Sequence, residues 1–85
     1  MVETRRAPRF KVSKAARIGA DRRAPRCIVR DLSVTGAALD VESQAEVPDQ
    51  FSLVIPEDSL IVPCRVVWRR GYKIGVMFED APHTD

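Results

Sequence analysis

The chain's 85 residues allow one domain and one core, and no apolar run approaches the roughly 18 residues of a membrane span, so membrane insertion is not expected. Its composition, 45% hydrophobic, 31% charged and 6% aromatic, is that of an ordinary folded domain whose margin of stability is thin at this size. The formal net charge of +2 conceals an asymmetry: residues 1–30 hold ten Lys/Arg against two acids (+8), and residues 31–85 hold four against ten (−6). A basic front on a weakly charged molecule suits a small or local anionic partner better than a long polyanion, and a solvated basic face has the same composition.

Residues 1–9 come first, an arm with arginines at 5, 6 and 9. Pro8 biases Ala7 toward an extended backbone, so the arm is not helical. Its like charges and few apolar residues predict mobility when no anion is present. No apolar stretch follows the basic start, so no secretory signal is expected and the cytoplasm is the expected compartment.

From Phe10 the dominant hydrophobic period is two, the mark of half-buried strands. Phe10, Val12, Ala16 and Ile18 form the first face; Asp21 to Pro25 read as a turn; Cys27, Ile28 and Val29 read as a second strand with a less regular pattern. After Asp31-Leu32-Ser33-Val34-Thr35-Gly36, placed between strands, Ala37, Leu39 and Val41 form the third face. Glu42 to Glu46 can form at most a turn. Phe51, Leu53 and Ile55 follow, then the Pro56-Glu57-Asp58 turn. Leu60, Val62, Cys64, Val66 and Trp68 form the longest face, with Pro63 marking an edge or bulge. Arg70-Gly71 fits a tight hairpin, and Tyr72, Ile74, Val76 and Phe78 close the pattern. Six short strands with no long crossover predict an all-β fold, a small antiparallel barrel or sandwich spanning residues 10–80, with a tail at 81–85.

Cys27 and Cys64 lie in apolar runs and are expected to be buried thiols. The one histidine, His83, is in the tail, so no metal or cofactor site is expected. No serine has a nucleophile-elbow context and no histidine lies in the folded segment, so no enzyme is expected.

Two constellations carry chemistry. The first is Arg5-Arg6-Ala7-Pro8-Arg9, whose guanidinium forks suit phosphate oxygens and the O6/N7 edge of guanine. The second holds Asp31, Ser33 and Gly36. A carboxylate can accept from the N1–H and N2–H₂ donors of guanine, a serine can donate to phosphate, and glycine permits positive φ or close backbone approach. Each has a plainer account: an arginine-rich end serves as a solubilising tail, and Asp-x-Ser before glycine serves as a turn. The pentapeptide Arg-Arg-Ala-Pro-Arg recurs at Arg22 to Arg26, so one arginine motif has two candidate positions.

The order and spacing of these motifs resemble the PilZ family of cyclic di-GMP receptors, whose signature is RxxxR before the first strand and DxSxxG (or its Asn form) after the second. Arg5 and Arg9 match the first motif; Asp31, Ser33 and Gly36 match the second; Val66-Val67-Trp68-Arg69 and Ile74-Gly75-Val76-Met77-Phe78 resemble the family's closing pattern. Arg9 to Asp31 leaves room for two strands and a turn, whereas Arg26 to Asp31 does not, so the motif maps to the first copy. Ala37 stands where the family often has a second glycine, and no substantial C-terminal helix is expected. The resemblance implies a closed six-stranded antiparallel barrel. Its ligand would be cyclic di-GMP, held by Arg5, Arg6, Arg9, Asp31, Ser33 and Gly36, with an arm that folds over the barrel and signals to an effector protein. Two other expectations compete: an interaction module of this fold that binds no ligand, and a small nucleic-acid-binding barrel. Against a nucleic acid polymer stands the alternation, which places Phe10, Phe51, Trp68, Tyr72 and Phe78 on inner faces and leaves no stacking platform.

Overall fold

The computed structural model describes residues 8–79. Most of the arm, with Arg5 and Arg6, and the tail lie outside the described residues, as does the expectation that the arm is mobile. Six strands form: β1 (Phe10–Ile18), β2 (Arg26–Leu32), β3 (Gly36–Val41), β4 (Gln50–Ile55), β5 (Leu60–Arg70) and β6 (Lys73–Phe78). They close into an antiparallel barrel in the order β1-β2-β3-β6-β5-β4. Closure removes the unpaired sheet edges that would otherwise template aggregation.

Alternation supplies the core. Ala16 and Ile18, Cys27 and Val29, Leu39 and Val41, Leu53 and Ile55, Cys64, and Ile74, Val76 and Phe78 all point inward and are buried, joined by Val47 from the β3–β4 connection. No charged or polar side chain is buried among the described residues. Both cysteines are free and buried, and burial pushes each thiol up to about 12, well away from reactivity. The two proline- and acid-rich connections tighten into single 3-10 turns, Gln44–Glu46 and Pro56–Asp58. Pro63 sits inside β5 opposite Ser52 of β4, beyond the point where β6 ends against Cys64. That is a local edge, where a missing N–H is tolerated, and the Glu79 N–H donates to the Pro63 carbonyl at 2.9 Å.

Several expectations need correction. Asp31 and Leu32 belong to β2 and Gly36 opens β3, so only Ser33 to Thr35 lie between the strands. Of the five aromatics assigned to the core, Phe10 (64% exposed), Trp68 (45%) and Tyr72 (71%) lie on the surface. Phe10 opens β1 and Tyr72 lies in the β5–β6 turn, where the barrel no longer covers them; Trp68 has a different cause. From Val66 to Trp68 β5 advances two residues while β6 advances one, from Val76 to Gly75. This bulge at Val67 turns Trp68 from the inner face, where Leu60, Val62, Cys64 and Val66 lie, to the outer one, because a one-residue slip reverses the facing of every later residue in the strand.

The outer wall carries a cross-strand ion network. Asp40 of β3 accepts from Lys73 Nζ of β6 at 2.9 Å and from Arg30 Nε of β2 at 2.7 Å. Arg69 of β5 donates to Asp49 at 2.8 Å and to the Val47 carbonyl at 3.0 Å, tying the barrel wall to the loop before β4.

Two outcomes test this architecture. Leu39 and Leu53 are fully buried, so Leu39→Ala or Leu53→Ala should lower unfolding free energy by about 2–5 kcal/mol in urea titration, whereas exposed Ile61→Ala should stay within about 0.5 kcal/mol. Lys73 first, and Arg30 second, hold the Asp40 carboxyl below its ordinary 3.8. The stabilisation so linked is complete above the unfolded-state value and is lost as pH falls through the lower folded-state value. An NMR titration of the Asp40 carboxyl should therefore give a midpoint below 3.8, and Lys73→Gln should move it back up.

Candidate functional site

A second bulge sets the position of Asp31. Between Val29 and Asp31 β2 advances two residues while β3 advances one, from Leu39 to Ala38. Continued alternation after Cys27 and Val29 would send Asp31 inward; the extra residue at Arg30 instead packs Leu32 against the core and leaves Asp31 half-buried on the outer face. The irregular pattern around residues 26–32 is this bulge seen in sequence.

The two bulges bring their residues to one level of the wall. Asp31 pairs with Ala38, Ala38 with Gly75, and Gly75 with Trp68. Ala38 and Gly75 thus form a low floor between a carboxylate wall and an indole wall. A methyl group at Gly75 would fall on the Trp68 ring, which shows that the indole lies directly over that glycine. Arg9, Asp31, Ser33, Gly36, Trp68 and Met77 line this groove, whose volume is about 150 Å³. On the β1 side, Lys11 pairs with Asp31.

The β2–β3 turn closes one end. Ser33 Oγ accepts from the N–H groups of Thr35 and Gly36, both at 3.2 Å, and the Ser33 N–H donates to the Gly36 carbonyl at 2.9 Å. In this arrangement the hydroxyl oxygen braces the turn. Gly36 has no positive φ. Of its two expected uses the second is the one found: a side chain there would strike the Val76 carbonyl, so glycine lets β3 approach β6.

The Asp31 carboxylate makes no hydrogen bond or ion pair with protein among the described residues, and the Arg9 side chain is exposed and likewise unpaired. Arg9 immediately precedes Phe10, which pairs with Leu32, so it stands beside the turn. The second arginine copy, Arg22 to Arg26, occupies the β1–β2 turn and the first residue of β2, at the strand's other end, about 20 Å away at the rise of a strand.

A family model for the PilZ domain matches residues 3–85. The chain belongs to the PilZ domain family. No curated protein matches it. The family is one of binding and adaptor domains associated with cyclic di-GMP, and both PilZ motifs fall within the matched span. In this PilZ barrel the described part of the signature, Arg9, Asp31, Ser33 and Gly36, converges on one groove, while Arg5 and Arg6 lie outside the described residues.

Trp68 is the groove residue that sequence reasoning missed. The alternation that assigned it to the core gave no warning of the bulge; its outward partner Gly75, a glycine in the middle of a strand, was the available signal, since such glycines mark close approach. The same exposure removes the ground on which stacking on nucleic acid was set aside, because Phe10, Trp68 and Tyr72 are on the surface.

Gly75→Ala should leave the barrel folded, because its methyl meets a movable ring, but displace Trp68, seen as a shift of its fluorescence maximum to longer wavelength. Gly36→Ala meets backbone instead and should cost about 1–3 kcal/mol in urea titration.

Proposed function

We propose that this PilZ domain is a cytoplasmic receptor for cyclic di-GMP and works as an adaptor, not as an enzyme. One guanine lies against Asp31, which accepts from N1–H and N2–H₂, with its plane toward the Trp68 indole; Arg5, Arg6 and Arg9 supply guanidinium groups to phosphate and to the guanine edge. Ser33 contributes by holding the turn and Gly36 by keeping β3 against β6. The observation that carries this reading is the unpartnered, half-buried Asp31 carboxylate, turned outward by a bulge to face an aromatic wall across a glycine floor. Such a carboxylate is costly to desolvate unless donors meet it.

The groove, at about 150 Å³, is smaller than the roughly 300–1,000 Å³ of a pocket that encloses its ligand. The barrel therefore supports half of the site, and the arm completes it from above. Ordering the arm over the ligand changes the surface offered to an effector protein, and the ligand's leverage equals its preference for that closed state.

The test is calorimetric titration with cyclic di-GMP, cyclic di-AMP and single-stranded DNA. Arg9→Ala and Asp31→Ala should each weaken cyclic di-GMP binding by about 10- to 150-fold, the equivalent of about 1.5–3 kcal/mol, with unchanged far-UV spectra. Arg22→Ala and Arg26→Ala should stay within about twofold. Asp31→Ala should also narrow the gap between the guanine and adenine dinucleotides, since adenine lacks the donor pair. A single-stranded nucleic acid is the second reading, favoured by the exposed aromatics; stronger binding of DNA than of the cyclic dinucleotide would select it.

A further inference from the structure

Trp68 borders two depressions. On one side lies the groove with Asp31; on the other lies a corner framed by Trp68, Arg70 and Lys73, with Arg69 at its margin. The register explains the adjacency. Two residues beyond the floor pair Ala38–Gly75, on the same outer face, stand Asp40 and Lys73, and Lys73 pairs with Arg70 across the β5–β6 hairpin. Arg30 reaches the same place through its bond to Asp40.

The charges of this corner do not cancel. Arg30, Lys73 and Arg70 bring three positive charges, and Asp40 is the single acid that contacts them. Arg69 is occupied by Asp49 and the Val47 carbonyl, so it and Asp49 neutralise each other. Arg70 forms no ion pair among the described residues. The corner is left with a net +2, beside the indole and within one strand step of the groove floor.

We propose that this corner is a second anion subsite, which takes the phosphate of a cyclic dinucleotide on the side of Trp68 away from Arg9, and that Asp40 sets its strength by offsetting part of the positive charge. The inference rests on the reading of the groove as a cyclic dinucleotide site. The ligand's two phosphates lie on opposite sides of its ring, so a guanine held at Asp31 leaves one directed to the arm and the other free to reach beyond the indole. Asp40 carries its charge at neutral pH, and the bonds from Lys73 and Arg30 hold its pKa below the ordinary carboxylate value.

Charge arithmetic separates this from a purely structural ion network. Asp40→Asn takes the corner from +2 to +3, Lys73→Gln takes it to +1, and the double variant returns it to +2. One unit charge acting over about 8–10 Å in a medium between protein and water changes phosphate affinity by about three- to tenfold. Titration with cyclic di-GMP at low salt should therefore show Asp40→Asn binding about three- to tenfold tighter than the parent. Lys73→Gln should bind weaker by a similar factor, and the double variant should fall within about twofold of the parent. Near 1 M salt, where screening acts over about 3 Å, the differences should collapse. Thermal melts confirm that each variant is folded. A network that only braces the wall would make Asp40→Asn bind equally or more weakly and would leave the double variant no better than the singles; either result overturns the proposal. Inorganic pyrophosphate, followed by phosphorus NMR, is the second probe and needs no guanine recognition. If the parent ignores cyclic di-GMP but pyrophosphate affinity follows the charge order, the groove reading fails and the subsite stands. If pyrophosphate shows no order and cyclic di-GMP binds, the subsite fails alone.

Discussion

Alternation is the constraint on which this barrel depends, and two of its interruptions, in β2 against β3 and in β5 against β6, shape the candidate site. A strand that keeps strict period two sends every second side chain inward, and a closed wall of six such strands fills its own interior. An acid on the inner side of β2 at position 31 would be buried without a partner, and a tryptophan on the inner side of β5 at position 68 would compete for space with Ile74 and Val76. One extra residue in each strand, at Arg30 and at Val67, removes both conflicts. It does so by placing the acid and the indole on the outer face, at the same level, with only Ala38 and Gly75 between them. What solves a packing problem on the inside creates the candidate groove on the outside.

Closure is uneven around the wall, and the unevenness falls next to the arm. β1 and β4 meet through only two residue pairs, Arg17 with Val54 and Ile18 with Leu53. The first half of β1 is paired with β2 on one side, and on the other it is held by Lys14, whose ammonium bonds both oxygens of Asp58 at 2.9 and 3.0 Å in the 3-10 turn after β4. Those two bonds, with Glu57 3.9 Å away, raise the Lys14 pKa, so the clasp stays charged throughout the neutral range. The start of β1, next to Arg9, is therefore paired with β2 alone. Arg9 stands beside the β2–β3 turn, next to Phe10, whose partner is Leu32.

The fold was legible in the sequence because it rests on period-two patterning and on turn chemistry, both local. The six strands, their boundaries near Asp21, Pro48, Pro56 and Gly71, and the buried Cys27 and Cys64 can all be inferred from residues read within a short window. The site was legible as composition, since Arg9, Asp31, Ser33 and Gly36 meet in one groove, but not as geometry. A bulge is a relation between two strands, and no single strand's sequence states it; the pattern of β5 gives Trp68 an inward facing, and only its registration against Gly75 reverses that. Ser33 shows a different limit. Its hydroxyl suits a phosphate or a turn equally well by residue type, and only the folded turn shows its oxygen accepting from two backbone N–H groups.

The repeated pentapeptide shows why charge alone does not make a binding site. Arg9 of the first copy and the arginines of the second lie on the surface with no acidic side chain attached among the described residues, and around the second copy Arg17 faces Arg26 directly across β1 and β2, with Arg22 and Arg23 in the turn beyond. Like charges in register cost a little stability and draw anions without choosing among them. Asp21 uses its carboxylate on the Arg23 N–H and its carbonyl on the Ala24 N–H, so it shapes the turn. No exposed aromatic stands in that turn. At the groove the cation Arg9 is joined by a carboxylate free to accept, an indole wall and a floor without side chains large enough to obstruct a flat ring. Phosphate supplies attraction at either end of β2, but a guanine can be told from other bases only where acceptor, plane and clearance occur together, and among the described residues that conjunction exists once.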